Sequence, residues 1–434
     1  MSAHRELAQK HLPWNFGCHF WEGVLSVAGY TVFGVFTVLP GLLHEIVVRA
    51  PALEPYENRL VTALPICFWS ISPMVGFFFT GYYESLKERL HLLVKWGVVG
   101  YLPFAAIAIG MAFISKLGYV GYLVLLYVSL IVHALINGFK WPLWLDLIGR
   151  QIPARRRGRL FGGRDALGNL IGIGVIAALP FLGRHLGFPY NYAVLYGIVV
   201  VLIYAGLWVF ARLREIPYAD HEIRPRPPMI SQIKGILSVL KEDKAYRNLM
   251  IATLTTNLCM ICTLSLYQVK ATRMFDLSGL ALVRFVSGFT IANTLGYMVG
   301  MPLLGLVADR WGYKRVIYST HAVLFATLIL VLWGTAAWFF LLASLLAGIT
   351  RAGRVLATIN FQLEFAPETR RPTYVALAAL FGFPIIFVPL VGGWIADRWG
   401  YDPVFLSSGL FIIVGMAMFA AFVREPRNEP GSAV

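Results

Sequence analysis

"GLVADRWGYKRVIY", residues 305–318, sets one acid, three basic residues and two glycines between long apolar runs. Charge gathered into so short a stretch reads as a tight loop at a membrane surface. Gly305 and Gly312 permit a sharp turn and close backbone approach, and Arg310, Lys314 and Arg315 stand where cationic side chains hold to lipid headgroups. The flanking runs extend the reading to the whole chain. Of its 434 residues 58% are hydrophobic and 14% charged, with a mean hydropathy of +0.69, whereas an ordinary soluble domain carries about 25% charged residues. Apolar stretches of about 20 residues recur throughout, the length an α-helix needs to cross about 30 Å of hydrocarbon.

Twelve membrane-spanning helices are predicted, at about 20–43, 60–81, 92–114, 119–147, 160–182, 190–212, 248–270, 282–308, 316–334, 336–363, 373–396 and 403–423. The fold class expected is an all-α membrane protein. The residues before Trp14 are polar, and no A-x-A-like site follows the first apolar run, so no cleaved leader is expected. Alternate loops collect 25 Lys and Arg on one side, among them Arg155, Arg156, Arg157, Lys241 and Arg310, and eight on the other. The positive-inside rule then places both termini and the long 214–247 connection in the cytoplasm of a multi-pass protein of the cell membrane.

That distribution accounts for the net charge of +15 without a nucleic-acid partner. Cys18, Cys67, Cys259 and Cys262 fall in or beside predicted spans, so no disulfide framework is expected, and the C-x-x-C at 259–262 lacks the βαβ context of a redox motif. "HEIVV" (44–48) begins like a zinc-protease motif but has Val48 in place of the second histidine. The sequence offers no metal site, no cofactor motif, no P-loop for ATP and no G-x-S-x-G or paired-aspartate signature in the spans. An enzyme is therefore not expected.

The connection "REIPYADHEIRPRPPMISQIKGILSVLKEDKAYRN" divides six spans from six, giving an N-terminal half (1–213), a cytoplasmic linker (214–247) and a C-terminal half (248–434). The halves echo one another. At an offset of 214, "PARRRGRLF" (153–161) falls on "PETRRPTYV" (367–375); at 224, "MVGFFFTG" (74–81) falls on "MVGMPLLG" (298–305). A parallel repeat of two six-helix halves is a mark of major facilitator transporters.

"GLVADRWGYKR" (305–315) resembles the G-x-L-a-D-R-x-G-R-K-R loop of the major facilitator superfamily, here in its position between the eighth and ninth helices. The first-half counterpart, "GYYESLKERLHLL" (81–93), keeps Gly81, Glu84, Lys87 and Arg89 but loses the D-R-x-G core. The resemblance implies a charged latch in which Glu84, Asp309, Arg310, Lys314 and Arg315 gate alternating access; an orientation-setting loop is the plainer role. "GGWIADRWGYDPVFL" (392–406) is a near copy on the opposite face, where Asp397 and Arg398 are expected to form a local turn pair. "IPARRRGRLFGGRDALGNLIGIG" (152–174) resembles the family's loop after helix four. Its glycines, with "GYMVG" (296–300) on helix eight, imply helices facing each other across the seam between halves. The family's G-P-x-x-G-G antiporter element is missing from helix five.

Ionisable residues at membrane depth cost about 2.5–3.5 kcal/mol each and generally face a cavity or partner. By helical periodicity His19, Glu22, Ser26 and Tyr30 share a face of helix one. His133, Asn137, Lys140 and Trp144 share one on helix four. Helix seven presents Thr253, Asn257 and Gln268, and helix ten Arg351, Arg354 and Thr358. In the superfamily these four helices line the central cavity. The resemblance thus implies a solute site of Asn137, Lys140, Trp144, Asn257, Gln268, Arg351 and Arg354, with Glu22 and His133 as coupling residues. Positive charge at low dielectric favours an organic anion, and Trp141 or Trp144 suits a planar part. Structural roles stand beside these: Lys140 snorkelling to the interface, Arg351 or Arg354 paired with Glu364 or Glu368, and Arg164 with Asp165 as a gate or loop pair. The expectation is a secondary active transporter, working as a monomer in a lipid bilayer on a small-molecule substrate and coupled to a proton or ion gradient. A drug or amphiphile efflux antiporter, and a non-transporting sensor or enzyme on the same scaffold, are the alternatives.

Overall fold

The computed structural model describes the chain apart from residues 1, 80–85, 216–238, 262–263, 366–373, 375–376, 379–380 and 424–434. Among the described residues every regular element is helical: α1 (Ser2–Phe33), α2 (Val38–Arg49), α3 (Leu64–Ser70), α4 (Ser72–Phe78), α5 (Leu90–Ala112), α6 (Ile114–Gln151), α7 (Ala154–Ala177), α8 (Leu179–His185), α9 (Tyr190–Phe210), α10 (Lys244–Asn257), α11 (Leu264–Met274), α12 (Gly279–Trp311), α13 (Tyr313–Trp333), α14 (Ala337–Phe365), α15 (Phe383–Trp399) and α16 (Asp402–Phe422), with short 3₁₀ and π turns between some of them. This is the twelve-span layout in two six-helix halves. Nine spans among the described residues are long and apolar enough to cross a membrane.

In the other three, the second, seventh and eleventh, the described residues form no single helix of that length. The second passes through a π-helical turn at Arg59–Ala63 before α3 and α4, the seventh through a 3₁₀ turn at Leu258–Ile261 between α10 and α11, and the described helix of the eleventh starts at α15 with Pro384 in its first turn. The first span also departs from its expected end at 43. Gly34, at φ 52°, stops α1, and the chain resumes as α2 to Arg49.

Two compact units form, and they do not follow chain order: residues 1–35 pack with 68–228, and residues 36–67 pack with 229–434. Helix association in lipid rests on close packing, and glycines provide it within each unit. A Cβ on Gly168 would meet the Val24 carbonyl oxygen at 2.7 Å, and one on Gly172 would meet Thr31 Cβ at 2.8 Å, so the stripe on α7 seats against α1. In the second unit a Cβ on Gly296 would meet the Leu345 carbonyl oxygen at 1.9 Å, and one on Gly300 would meet Ile349 Cα at 2.9 Å, seating α12 against α14. These four glycines therefore pack against helices of their own units.

In the second unit the 36–67 segment is fastened by charge. Buried Glu57 accepts hydrogen bonds from Arg273 and pairs with His44. Buried Asp397 accepts from the backbone N–H and Nδ2 of Asn58, at 3.0 and 2.9 Å, and from Arg59 Nε at 2.7 Å. The expected local pair of Asp397 with Arg398 is thus replaced. Arg398 lies 5.7 Å from the Trp399 ring centroid, while the aspartate serves a segment more than 330 residues away. Sequence distance hid that partner, because nothing local to "ADRWGY" names it.

Candidate functional site

Helices α1, α5, α6, α7 and α9 enclose a cavity of about 240 Å³ in the first unit. An engineered hole of about 150 Å³ already admits benzene, so a substituted ring has room. From α1 come Glu22, Ser26 and Tyr30, spaced by four and therefore stacked on one face, as periodicity predicts. His19, one turn before them, instead bonds through Nε2 to Gln151 Oε1 at 2.9 Å. From α6 come Asn137, Lys140, Trp141 and Trp144.

Arg164 on α7 is the lining residue that the sequence reading assigned elsewhere. It does bond its neighbour, Nε donating to Asp165 Oδ1 at 3.2 Å, but both residues line the cavity. Its guanidinium carbon lies 4.9 Å from the Trp144 ring centroid and 4.6 Å from that of Phe161, within cation–π range of both. Gly23 makes the room: a Cβ there would meet Arg164 Cδ at 2.2 Å. The signal was available, because Arg164, Gly168 and Gly172 are four apart and share the face that packs on α1.

The electrostatics are balanced. Glu22 and Asp165 face Lys140 and Arg164, two carboxylates and two cations. Glu22 is 9% exposed; Oε1 accepts from Ser26 Oγ at 3.2 Å, and Oε2 is buried without a hydrogen-bond partner, although the Trp144 indole lies near the same carboxylate. Lys140 is 8% exposed, its Nζ 4.3 Å from the Tyr101 ring centroid. Tyr101 is a second lining residue that the periodicity of helices one, four, seven and ten could not point to, since it comes from α5.

The remaining expected residues fall in several places. Asn137 Nδ2 donates to Ser72 Oγ at 3.2 Å. His133 does not line the cavity; its Nδ1 bonds the Gly100 carbonyl at 2.8 Å, with the rings of Tyr30, Trp69, Tyr101 and Phe104 around it. In the second unit Arg354 Nη2 donates to Asn257 Oδ1 at 2.8 Å, and both line a cavity of about 40 Å³ with His321. Arg354 is the counterpart of Lys140 at the offset of 214, so equivalent positions of the repeat line a cavity in each unit. Arg351 stands over Tyr297, 4.3 Å from the centroid, and buried Gln268 lies against Gly41 with no partner for its amide. A single basic cavity of Lys140, Arg351 and Arg354 is therefore not what either unit contains. Arg310 and Arg315 are exposed, and Lys314 Nζ donates to the Val423 carbonyl at 2.5 Å. Glu84, Glu368 and Cys262, and the side chains of Asp309, Thr358 and Glu364, lie outside the described residues.

Comparison with known proteins agrees with this architecture. The sequence model of the Major Facilitator Superfamily matches residues 275–433. The tetracycline resistance protein, class B, of Escherichia coli is 28% identical over 154 residues, 33% of this chain and 38% of that protein. The chain thus spans well under half the length of that curated relative. Among solved structures, the D-xylose-proton symporter superposes with a TM-score of 0.69 at 14% identity, covering 96% of this chain and 99% of that one. The nucleoside transporter NupG, in a variant form, gives 0.67 at 11% identity, covering 94% and 100%. At such identities the likeness is one of fold.

Proposed function

We propose that the chain is a secondary active transporter of the Major Facilitator Superfamily type, whose sequence model matches residues 275–433, and that it moves a small organic solute carrying an anionic group. The observation that carries this reading is the first-unit cavity, where buried Lys140 stands on the Tyr101 ring without an ion pair among the described residues, and Trp141 and Trp144 line the same space. A buried cation without a strong partner is costly, and a carboxylate or phosphate from a solute supplies that partner. Trp141 and Trp144, stacked at 5.1 Å between centroids, offer a face to a planar part. Rocking of two six-helix halves exposes such a site to each side of the cell membrane in turn, both termini remaining cytoplasmic. Asn257, Gln268, Arg351 and Arg354 are the proposed solute residues of the second half. Glu22 and His133 are the proposed coupling residues and a proton the coupling ion, while Glu84, Asp309, Arg310, Lys314 and Arg315 form the cytoplasmic latch. The monomer suffices for this cycle, and catalysis has no part in it. Efflux of an amphiphile in exchange for protons is the second reading, favoured by the partial identity to the tetracycline resistance protein.

The test is a thermal-shift screen in detergent of organic anions, organic cations and neutral sugars, since a ligand that binds the folded state raises its apparent stability. Compounds bearing an anionic group should stabilise the wild type, and Lys140→Met should weaken their binding about tenfold or more, as loss of a charge-assisted hydrogen bond does. In vesicles, an imposed pH gradient should then drive accumulation of the best binder. Equal stabilisation of wild type and Lys140→Met by sugars or cations alone would overturn the reading.

A further inference from the structure

Resting on the transport reading above, we infer that the solute of the first-unit cavity is amphoteric: it brings an acidic oxygen to Lys140 and a hydrogen-bond donor, an amine or hydroxyl, to Glu22. Two buried groups carry this. Glu22 Oε2 is buried with no hydrogen-bond partner, while Oε1 accepts from the Ser26 hydroxyl and the Trp144 indole lies near the same carboxylate. The Lys140 ammonium rests on the Tyr101 ring, and among the described residues it forms no ion pair. The two therefore face one cavity without neutralising each other directly.

A carboxylate aimed into a closed space accepts and does not donate, so the group that satisfies it must present N–H or O–H. An ammonium does the reverse. The charge balance points the same way. Asp165 holds Arg164 Nε, and among the described residues Glu22 and Lys140 are the charges of the cavity that form no ion pair. A solute with an acid alone would satisfy Lys140 and leave Glu22 Oε2 beside a second negative charge. A solute with an amine alone would leave Lys140 without an acceptor. A ring bearing both groups answers both and keeps two positive and two negative protein charges in balance, at low cost for a buried site.

The experiment uses purified full-length protein and a matched set sharing one ring: indole-3-propionate (acid), tryptamine (amine) and tryptophan (both), with benzoate, benzylamine and 4-(aminomethyl)benzoate as a smaller set. Affinity is read from concentration-dependent thermal shifts. The amphoteric member of at least one set should bind about tenfold more tightly than its acid-only partner. Glu22→Gln should reduce that advantage to near one, with the acid-only compound bound at least as tightly as by the wild type, because the like charge beside it is removed. Lys140→Met should weaken both. If the acid-only compound binds the wild type as tightly as its amphoteric partner, or if no member of either set binds, the inference is overturned. The wild-type arm decides this even where a variant does not fold. Counterflow in vesicles separates the two readings. An amphoteric compound that binds but does not exchange across the bilayer sinks the transport reading and leaves the recognition intact, whereas exchange of the acid-only compound with equal affinity does the opposite.

Discussion

The hexapeptide ADRWGY occurs twice, at 308–313 ending α12 and at 396–401 ending α15. Counting spans puts the two copies at opposite ends of the second half, three helices apart in order. Their backbones are alike. Gly312 has φ 81° and ψ 170°, Gly400 has φ 82° and ψ −173°, a region open essentially to glycine alone. Each glycine N–H closes on the alanine four residues back, at 2.9 and 3.1 Å. Beyond the turn they diverge. After the first copy, Lys314 reaches the Val423 carbonyl at the end of α16. In the second, Asp397 holds the 58–59 segment through three hydrogen bonds, and Gly393, one turn earlier, lets that segment come close, a Cβ there meeting the Asn58 carbonyl oxygen at 3.1 Å. After it, Asp402 pairs with Lys270 at 3.2 Å. The same six residues thus write the same helix stop twice, and the chain that arrives beside each copy decides what its charges hold.

The strongest way to break this contrast is Asp397→Ala. It strands two donors of Asn58 and the guanidinium of Arg59, and because Arg59 is about one-third exposed the loss should be about 2–3 kcal/mol, below the about 3–5 kcal/mol of a fully buried pair. Thermal unfolding in detergent, with Asp397→Asn keeping part of the stability, measures it; an unchanged midpoint would show that the clasp holds nothing. Next come Gly312→Ala and Gly400→Ala, each expected to cost about 1–3 kcal/mol for the strained backbone. Because both turns share one geometry, the two losses should agree, and a disagreement of more than about 1 kcal/mol would mean that tertiary contacts set one of them. Lys314→Met is the mildest. It removes one partly exposed cap on the Val423 carbonyl and should cost about 0.5–1 kcal/mol, read as a small downward shift in the unfolding midpoint. A shift as large as that of Asp397→Ala would erase the difference between the two copies.

Much of the fold was legible because it follows from local composition. The apolar runs named the spans, and Gly312 named its turn. The stripe Glu22, Ser26, Tyr30 and the α6 face through Asn137, Lys140 and Trp144 came from periodicity and do line one cavity. What was not legible depended on a second chain segment. Arg164 looked like half of a loop pair until Gly23 supplied the space for its side chain against α1. His133 looked like a cavity residue, but its face of α6 meets the Gly100 carbonyl and four aromatic rings. Lys140 and Arg354 occupy equivalent positions of the repeat, yet one meets a ring and the other an asparagine.

The sequence by itself therefore determined the twelve spans and the two identical turns, since hydrocarbon thickness, backbone sterics and hydrogen-bond demand in lipid act on each segment alone. Only the tertiary structure decided which charges meet: that Asp397 clasps residues 58 and 59, that Glu57 gathers His44 and Arg273, and that Glu22 and Lys140 share a cavity without pairing. A buried charge is settled by whichever partner packs within hydrogen-bond reach, and that reach crosses hundreds of residues of sequence.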